Sequence, residues 1–415
     1  MNFILQKAGA AHVNDGTITV PVGGSLIVVI EEDSSFTTGP LSTITSMDTT
    51  QFANGGTFYH LGEWQIQPGA SGIVNGQDPA NFDPVTQTWQ GGRIRIQGPG
   101  EFCMPFSNPM LRVAGTFHCI GEVTACPSGA GSSNPFAAFE FIEKEGAFIL
   151  EGMPFNRNGN LENSGALMLK SGADMNVAGN YVQQSGNTSV ADSSLAADSV
   201  VLMGGMFTGD GEITGPTTNH AVLEPGQSAS QPGLAGGAGN GSTGELQING
   251  SFAQTTGALL RMKLGGVIPG QQFDKLTIMG GTATLNGTLE LQLIDSFVPE
   301  INDEFVIITA DSRIGEFPEV VLSEFPLSLS ACVLYQSGNV VVKIVPGAIT
   351  GDMNCDGLVT VGDIGGFVLA LTDPNGYAMQ FPDCDINRAD VNNDGVVTVG
   401  DIAFFVQLLT TPVCS

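Results

Sequence analysis

What this sequence has little of narrows its function first. Charged residues make up only 13% of the 415, and 13 Lys and Arg face 41 Asp and Glu, for a formal net charge of −28. So few bases on so acidic a chain repel phosphate backbones and anionic lipid, which excludes nucleic acid as an expected partner. Long hydrophobic runs are missing as well. LIVVI at 26–30 is typical of the longest apolar stretches, far short of the roughly 20 residues that span a bilayer, so no membrane span is expected. None of the seven cysteines (Cys103, Cys119, Cys126, Cys332, Cys355, Cys384, Cys414) forms a CxxC pair, which removes the usual zinc templates. Some are expected as disulfides in an oxidising compartment, with one left over. The four His are scattered singly and read as ordinary surface or core residues. No Gly-x-Ser-x-Gly, HExxH or phosphate loop is present. The start MNFILQKAGAAH has neither the basic opening nor the long apolar core of a secretory signal. An exported chain calls for one, so the sequence is expected to be a mature form, a truncated gene model, or a protein exported another way.

Glycine is abundant, with 57 residues. From about residue 16 to 345, short alternating apolar stretches are followed by Gly with Asn, Asp or Ser, as in GGRIRIQGPG (91–100) and SGALMLKSGADMNVAGNYVQQSG (164–186). Alternation puts every second side chain on one face, and the Gly-containing pairs supply turns with positive φ. No comparable helical period precedes residue 360, so this part is expected to be all-β. The units recur roughly every 10 residues as variants of one another, most clearly over 54–265, which predicts a parallel β-helix, or solenoid, with rungs about 4.8 Å apart. A β-sandwich, or a pair of them, is the rival architecture. The Gly- and Ser-rich stretch 226–244 is expected as a loop or excursion from the stack. Beyond it, DKLTIMGGTATLNGTLELQLIDSF and DEFVIITADSRIGEF resemble the terminal segment of secreted β-helix and autotransporter-passenger-like bacterial proteins, which implies a closing cap. The expected organisation is a solenoid-like region over 1–243, a capping β segment over 244–345, a linker at 346–351 and a small helical domain over 352–415.

The chemistry is concentrated in two strings, DMNCDGLVTVGD at 352–363 and DVNNDGVVTVGD at 390–401, whose starts lie 38 residues apart. Oxygen-bearing side chains fall at loop positions 1, 3 and 5: Asp352, Asn354 and Asp356 in the first, Asp390, Asn392 and Asp394 in the second. Position 6 is Gly (Gly357, Gly395), where the chain must turn sharply. Position 7 offers a backbone carbonyl (Leu358, Val396), position 9 a Thr (Thr360, Thr398) and position 12 a carboxylate (Asp363, Asp401). This is the ligand spacing of an EF-hand calcium loop, which wraps about six to eight hard oxygens around one ion. Position 12 is Asp where Glu is usual, so the helix that follows must sit closer to the ion. Each loop is followed by an apolar set at i, i+3, i+4, i+7: Ile364, Phe367, Val368, Leu371 and then Ile402, Phe405, Val406, Leu409. No long helix is expected before either loop, so each unit reads as a loop plus one helix, duplicated with pseudo-twofold symmetry.

Two such loops with Asp at position 12, each followed by one amphipathic helix, make 352–411 resemble a type I dockerin, of the non-cellulosomal kind found in planctomycete-like bacteria. The resemblance implies two Ca2+ ions held by the twelve residues above, a cohesin-type protein domain as partner, contact through the exposed helix faces, and an extracellular or cell-surface location. The family often carries hydroxyl residues at positions 10 and 11, where this chain has Val361-Gly362 and Val399-Gly400. Residues 350–415 contain nine Asp, no Glu and one base, Arg388, a net charge of −8. Such crowded carboxylates repel one another without metal, so calcium binding is expected to be coupled to folding. Cys355 sits at position 4, pointing away from the ion. A Cys355–Cys384 disulfide, with Cys414 left over, and a reduced buried thiol are the two alternatives.

No catalytic constellation is legible on the β part. Glu63, Asp83, Glu122, Glu140 and Glu151 are acidic candidates, but nothing pairs any two at the spacing glycoside hydrolysis needs. Arg93 and Arg95 share one strand face, as a lyase base or as a solvated surface. Trp64 and Trp89 are a sugar-stacking platform or core packing. Two functions follow as expectations. In one, the dockerin-like tail attaches a structural or carbohydrate-contacting solenoid to a partner. In the other, it recruits a polysaccharide-degrading hydrolase or lyase to a complex.

Overall fold

The computed structural model describes the chain from residue 139 onward, apart from 228–240, 327–328, 348–349, 356–358 and 411–415. Before that it describes 2–5, 11–30, 35–38, 41–47, 49–53, 57–60, 62–68, 70–75, 82–83, 85–98, 101–105, 110, 112–121 and 132–133. The protein is mainly β, with large parallel sheets. One sheet holds thirteen strands in chain order, from Thr17–Val20 to Glu319–Ser323, and each is parallel to the next. A second sheet has sixteen strands, and from Ala166–Lys170 onward the chain alternates between the two. Parallel neighbours cannot be joined by a hairpin, so the chain must travel away and return one rung later. That pairing is consistent with a β-solenoid-like region and not with the antiparallel hairpins of a sandwich.

The alternation in the sequence fixes which side chains turn inward. In register, Ile18, Ile44, Trp64, Ile94, Phe117, Phe148, Leu167, Thr188, Phe207, Leu223, Leu260 and Leu289 form one column down the thirteen-stranded sheet. From Ile44 on, every member is fully buried. No rung could bury its face alone, so stability comes from neighbour upon neighbour. One corner also demands glycine. Gly186 and Gly205 have φ of +71° and +74°, and a Cβ on either would collide with the carbonyl oxygen of the glycine one rung back, Gly165 or Gly186.

Buried amides satisfy the backbone where strands end. Asn163 Nδ2 donates to Asn187 O (3.2 Å) and Thr188 Oγ1 (3.1 Å), while its Oδ1 accepts from Gly165 N at 3.0 Å. Asn219 repeats the device, donating to Leu259 O at 3.3 Å and accepting from Ala221 N at 2.9 Å. Replacing Asn219 by Leu strands both groups, at about 1–3 kcal/mol for each one left unsatisfied in the interior. The expected result is faster amide exchange confined to the rungs around 217–260, because each rung feels mainly its neighbours. Unchanged exchange there would refute the role.

The parallel order ends with three antiparallel strands, in which Glu304–Gly315 pairs with Asn339–Pro346 and that strand with Leu329–Tyr335. The thirteen-stranded sheet itself runs without a break across residues 243–244. Helices follow: α1 (Ile364–Thr372), α2 (Pro374–Gln380) and α3 (Ile402–Thr410). They have a core of their own, Met353, Phe367, Ala370, Tyr377, Ala389 and Phe405, separate from the cluster of the β part. The α2 helix was not foreseen. Its signal is local: Asp373 caps Gly376 N and Pro374 occupies the first turn.

Candidate metal centre

The second loop is described in full, and its side chains organise its own backbone. Asp390 at position 1 accepts from Asp394 N (Oδ1, 3.1 Å) and from Gly395 N (Oδ2, 2.8 Å), curling the next four residues around its carboxylate. Asn392 Oδ1 accepts from Asp394 N at 2.9 Å and its Nδ2 donates to Asp394 Oδ2 at 2.9 Å. Asp394 Oδ1 accepts from Val396 N at 3.0 Å. Gly395 holds φ of +88°, the left-handed turn that position 6 requires. Position 12, Asp401, is 0% exposed and reaches back across the loop, with Oδ2 on Thr398 N (2.8 Å) and Oδ1 on Asn392 N (3.1 Å).

The first loop repeats this closure. Asp363, also 0% exposed, accepts from Met353 N (2.8 Å) and Asn354 N (3.1 Å) through Oδ1 and from Thr360 N (2.7 Å) through Oδ2. Thr360 and Thr398 each cap a 3₁₀ turn, Val361–Asp363 and Val399–Asp401, that runs directly into a helix. The shorter Asp at position 12 therefore ties position 9 to position 3 in both loops, and to position 2 as well in the first, with the helix starting at the next residue. Cys355 and Asn393, both at position 4, share a positive φ of 58° and 56°. Asp356, Gly357 and Leu358 lie outside the described residues.

The donors in both loops are carboxylate, amide, hydroxyl and carbonyl oxygens, which suit a hard cation such as calcium and not a soft one. Their oxygens already accept backbone N–H groups, but a carboxylate has about four lone-pair sites, so acceptor capacity remains. Among the described residues, no group of three or more His, Cys, Asp or Glu is gathered as a metal cluster. The second loop thus brings Asp390, Asp394 and Asp401 onto one loop without drawing them onto one point.

The surroundings of the two loops differ. Cys355 and Cys384 form a disulfide, which decides between the alternatives left open by the sequence. Asp352, at position 1 of the first loop, is 2% exposed, and Arg388 Nη1 lies 2.9 Å from its Oδ2. Tyr377 Oη donates to Met353 O at 2.9 Å. Cys119 is a free, buried thiol that burial pushes up to about 12, so it is inert, and Cys414 lies outside the described residues.

Within the apolar set of each helix, burial is uneven. Phe367 and Phe405 are buried and stack on each other, centroids 3.9 Å apart and rings 2° from parallel. Ile364, Val368, Ile402 and Val406 are 42–50% exposed. With Val361 and Val399 they form two equivalent apolar ridges, each residue 38 positions from its partner.

On the β part, Trp64 and Trp89 are fully buried, Trp64 Nε1 on Ser46 Oγ (3.0 Å) and Trp89 Nε1 on Gly91 O (2.9 Å). They are core residues, which removes the sugar-stacking platform. Arg93 and Arg95 do share the outward face of Arg93–Gln97, and His118 neighbours Arg95 in register on the next rung. Burial lowers the His118 pKa against the hydrogen bond its ring donates to Glu151. Burial alone would raise Glu151, but hydrogen bonds from Lys170 and His118, both at 3.0 Å, hold it below the usual range. Glu140 pairs with Arg157 at 3.1 Å, and the Thr86 hydroxyl and the Val85 and Thr86 amides hold the Asp83 carboxyl low. Glu63 sits beside Arg93 in register, and Glu122 lies outside the described residues. Among the described residues, no helix is long and apolar enough to cross a membrane. No protein-family model matches this chain, and no curated protein matches it.

Proposed function

We propose that residues 352–415 form a dockerin-like, calcium-dependent docking module. It binds a cohesin-type protein domain and so displays the β-solenoid-like region outside the cell or at its surface. One observation carries the reading: both strings close by the same device. A fully buried Asp at position 12 accepts backbone N–H groups from positions 3 and 9, joined in the first loop by position 2, and a helix starts at the next residue. Each loop would hold one Ca2+, through Asp352, Asn354, Asp356, the Leu358 carbonyl, Thr360 and Asp363, and through Asp390, Asn392, Asp394, the Val396 carbonyl, Thr398 and Asp401. The bound ion supplies the positive charge that offsets the nine Asp of 350–415. The two exposed valine–isoleucine ridges supply the apolar surface a protein partner would cover.

The test is a binding assay of the full chain against a panel of purified cohesin-type domains, with calcium or with chelator. Saturable binding to at least one, lost with chelator, is the expected result. If the chain takes up calcium yet binds none of them, docking to this partner class fails and only a calcium-stabilised fold survives. If it takes up no calcium, the whole reading fails.

A further inference from the structure

The two loops are copies in sequence but not in electrostatic setting, and the difference centres on position 1. In the second loop Asp390 is half-buried, and its two oxygens turn toward Asp394 N and Gly395 N of its own loop. Among the described residues no basic side chain pairs with it. In the first loop Asp352 is buried, and Arg388, the one base between 350 and 415, lies against its carboxylate at 2.9 Å and near its carbonyl oxygen at 3.4 Å. Arg388 is held there. Its carbonyl accepts from Gly351 N at 2.7 Å, Cys384 Sγ lies 3.6 Å from Asp352 O, and the Cys355–Cys384 disulfide joins the same two segments.

From this asymmetry we infer that Arg388 is a built-in cation for the first loop, neutralising Asp352 in place of part of a metal's charge. The first loop is then the weaker calcium site, and the second fills first. The inference rests on the calcium reading above. A guanidinium that stays against Asp352 repels an arriving dication, and one that is displaced gives up its pairing with a buried carboxylate, so both routes weaken binding. The disulfide and the backbone bond to the Arg388 carbonyl tie Gly351 and Cys355 to the 384–388 segment without any ion. The module would therefore respond to calcium in two steps, with the second loop setting the threshold.

Calorimetric titration of calcium into the chelator-stripped full chain tests this. Two classes of site are expected, differing by about tenfold or more. Asp390→Asn is expected to remove the tight class and Asp352→Asn the weak one. Arg388→Gln is expected to tighten the weak class about tenfold, leaving the tight class in place. Two equal sites, loss of the tight class in Asp352→Asn, or an unchanged weak class in a folded Arg388→Gln variant would each overturn the inference while leaving calcium binding intact. If Arg388→Gln loses its helical signal, the ranking given by the two Asn variants decides the matter alone. A wild-type chain that takes up no calcium would overturn the calcium reading itself, a distinguishable failure.

Discussion

Replacing Asp363 or Asp401 by Ala is expected to open its loop and melt the helix that follows, with an effect much larger than any other single change in either loop. Each carboxylate is 0% exposed and each is a hub: Asp363 accepts three backbone N–H groups and Asp401 two, all between 2.7 and 3.1 Å. A hydrogen bond to a charged acceptor contributes about 1.5–3 kcal/mol, so the loss amounts to several kcal/mol in a small core of six buried hydrophobic residues. Asp363→Ala is the more severe because it strands one more donor. The readout is amide exchange over 352–372 or 390–410 in the full chain, with and without calcium. Protection should be lost in both conditions in the affected half, and Phe367–Phe405 stacking should carry part of the loss to the other half. Wild-type protection in both variants would show that these residues do not close the loops.

Lys263→Met is expected to be the most damaging change on the β part. Lys263 is fully buried, with Nζ 2.7 Å from Glu224, 3.2 Å from Asp274 and 2.9 Å from Pro225 O. Asp274 holds two more bonds, from Lys263 N at 2.8 Å and Gly244 N at 2.9 Å, while Arg261 bridges Glu224 and Glu290 at 3.1 and 2.8 Å. Removing the lysine leaves two buried carboxylates facing each other's charge, with only Arg261 on the far side of Glu224, a loss of about 3–5 kcal/mol. Burial pushes the Asp274 carboxyl up to about 7, against the pull of Lys263 and the two amides. Its folded pKa therefore lies above the unfolded value. The stability linked to its proton is complete below about pH 4 and is lost as the pH rises through about 7. The penalty of Lys263→Met should accordingly be greater at pH 8 than at pH 5, where Asp274 is protonated. Thermal melts at the two pH values, with Asp274→Asn as the control that flattens the dependence, give the answer. An equal penalty at both would mean that Asp274 does not titrate in this range.

Lys263 also shows where reading the sequence stops. In LLRMKL alternation sends Arg261 and Lys263 outward with equal force, and outward in a strand ordinarily means solvent. The structure keeps the direction but changes the environment. The chain from 265 to 274 doubles back, Gly265 N bonding Gln272 O and Asp274 N bonding Lys263 O, so Lys263 is enclosed while Arg261 stays a quarter exposed. The tryptophans illustrate the reverse. Trp64 and Trp89 fit either a surface platform or the interior until register places Trp64 in the inward column between Ile44 and Ile94. On the helices, the i, i+3, i+4, i+7 set named an apolar face without saying which of its members are buried. Phe367 and Phe405 turn inward and stack, while Ile364, Val368, Ile402 and Val406 face out.

The sequence by itself determined what depends on neighbours along the chain. Alternation and Gly-centred turns dictated β structure, and oxygen donors at fixed spacing, with Gly at position 6 and Asp at position 12, dictated two equivalent loops. These are short-range requirements of backbone geometry. Only the tertiary structure decided what depends on residues far apart: parallel stacking over a sandwich, the burial of Lys263 with Glu224 and Asp274, and the placement of Arg388 on Asp352 across 36 residues. Those pairings are set by how rungs and loops close on one another in space, which no local pattern encodes.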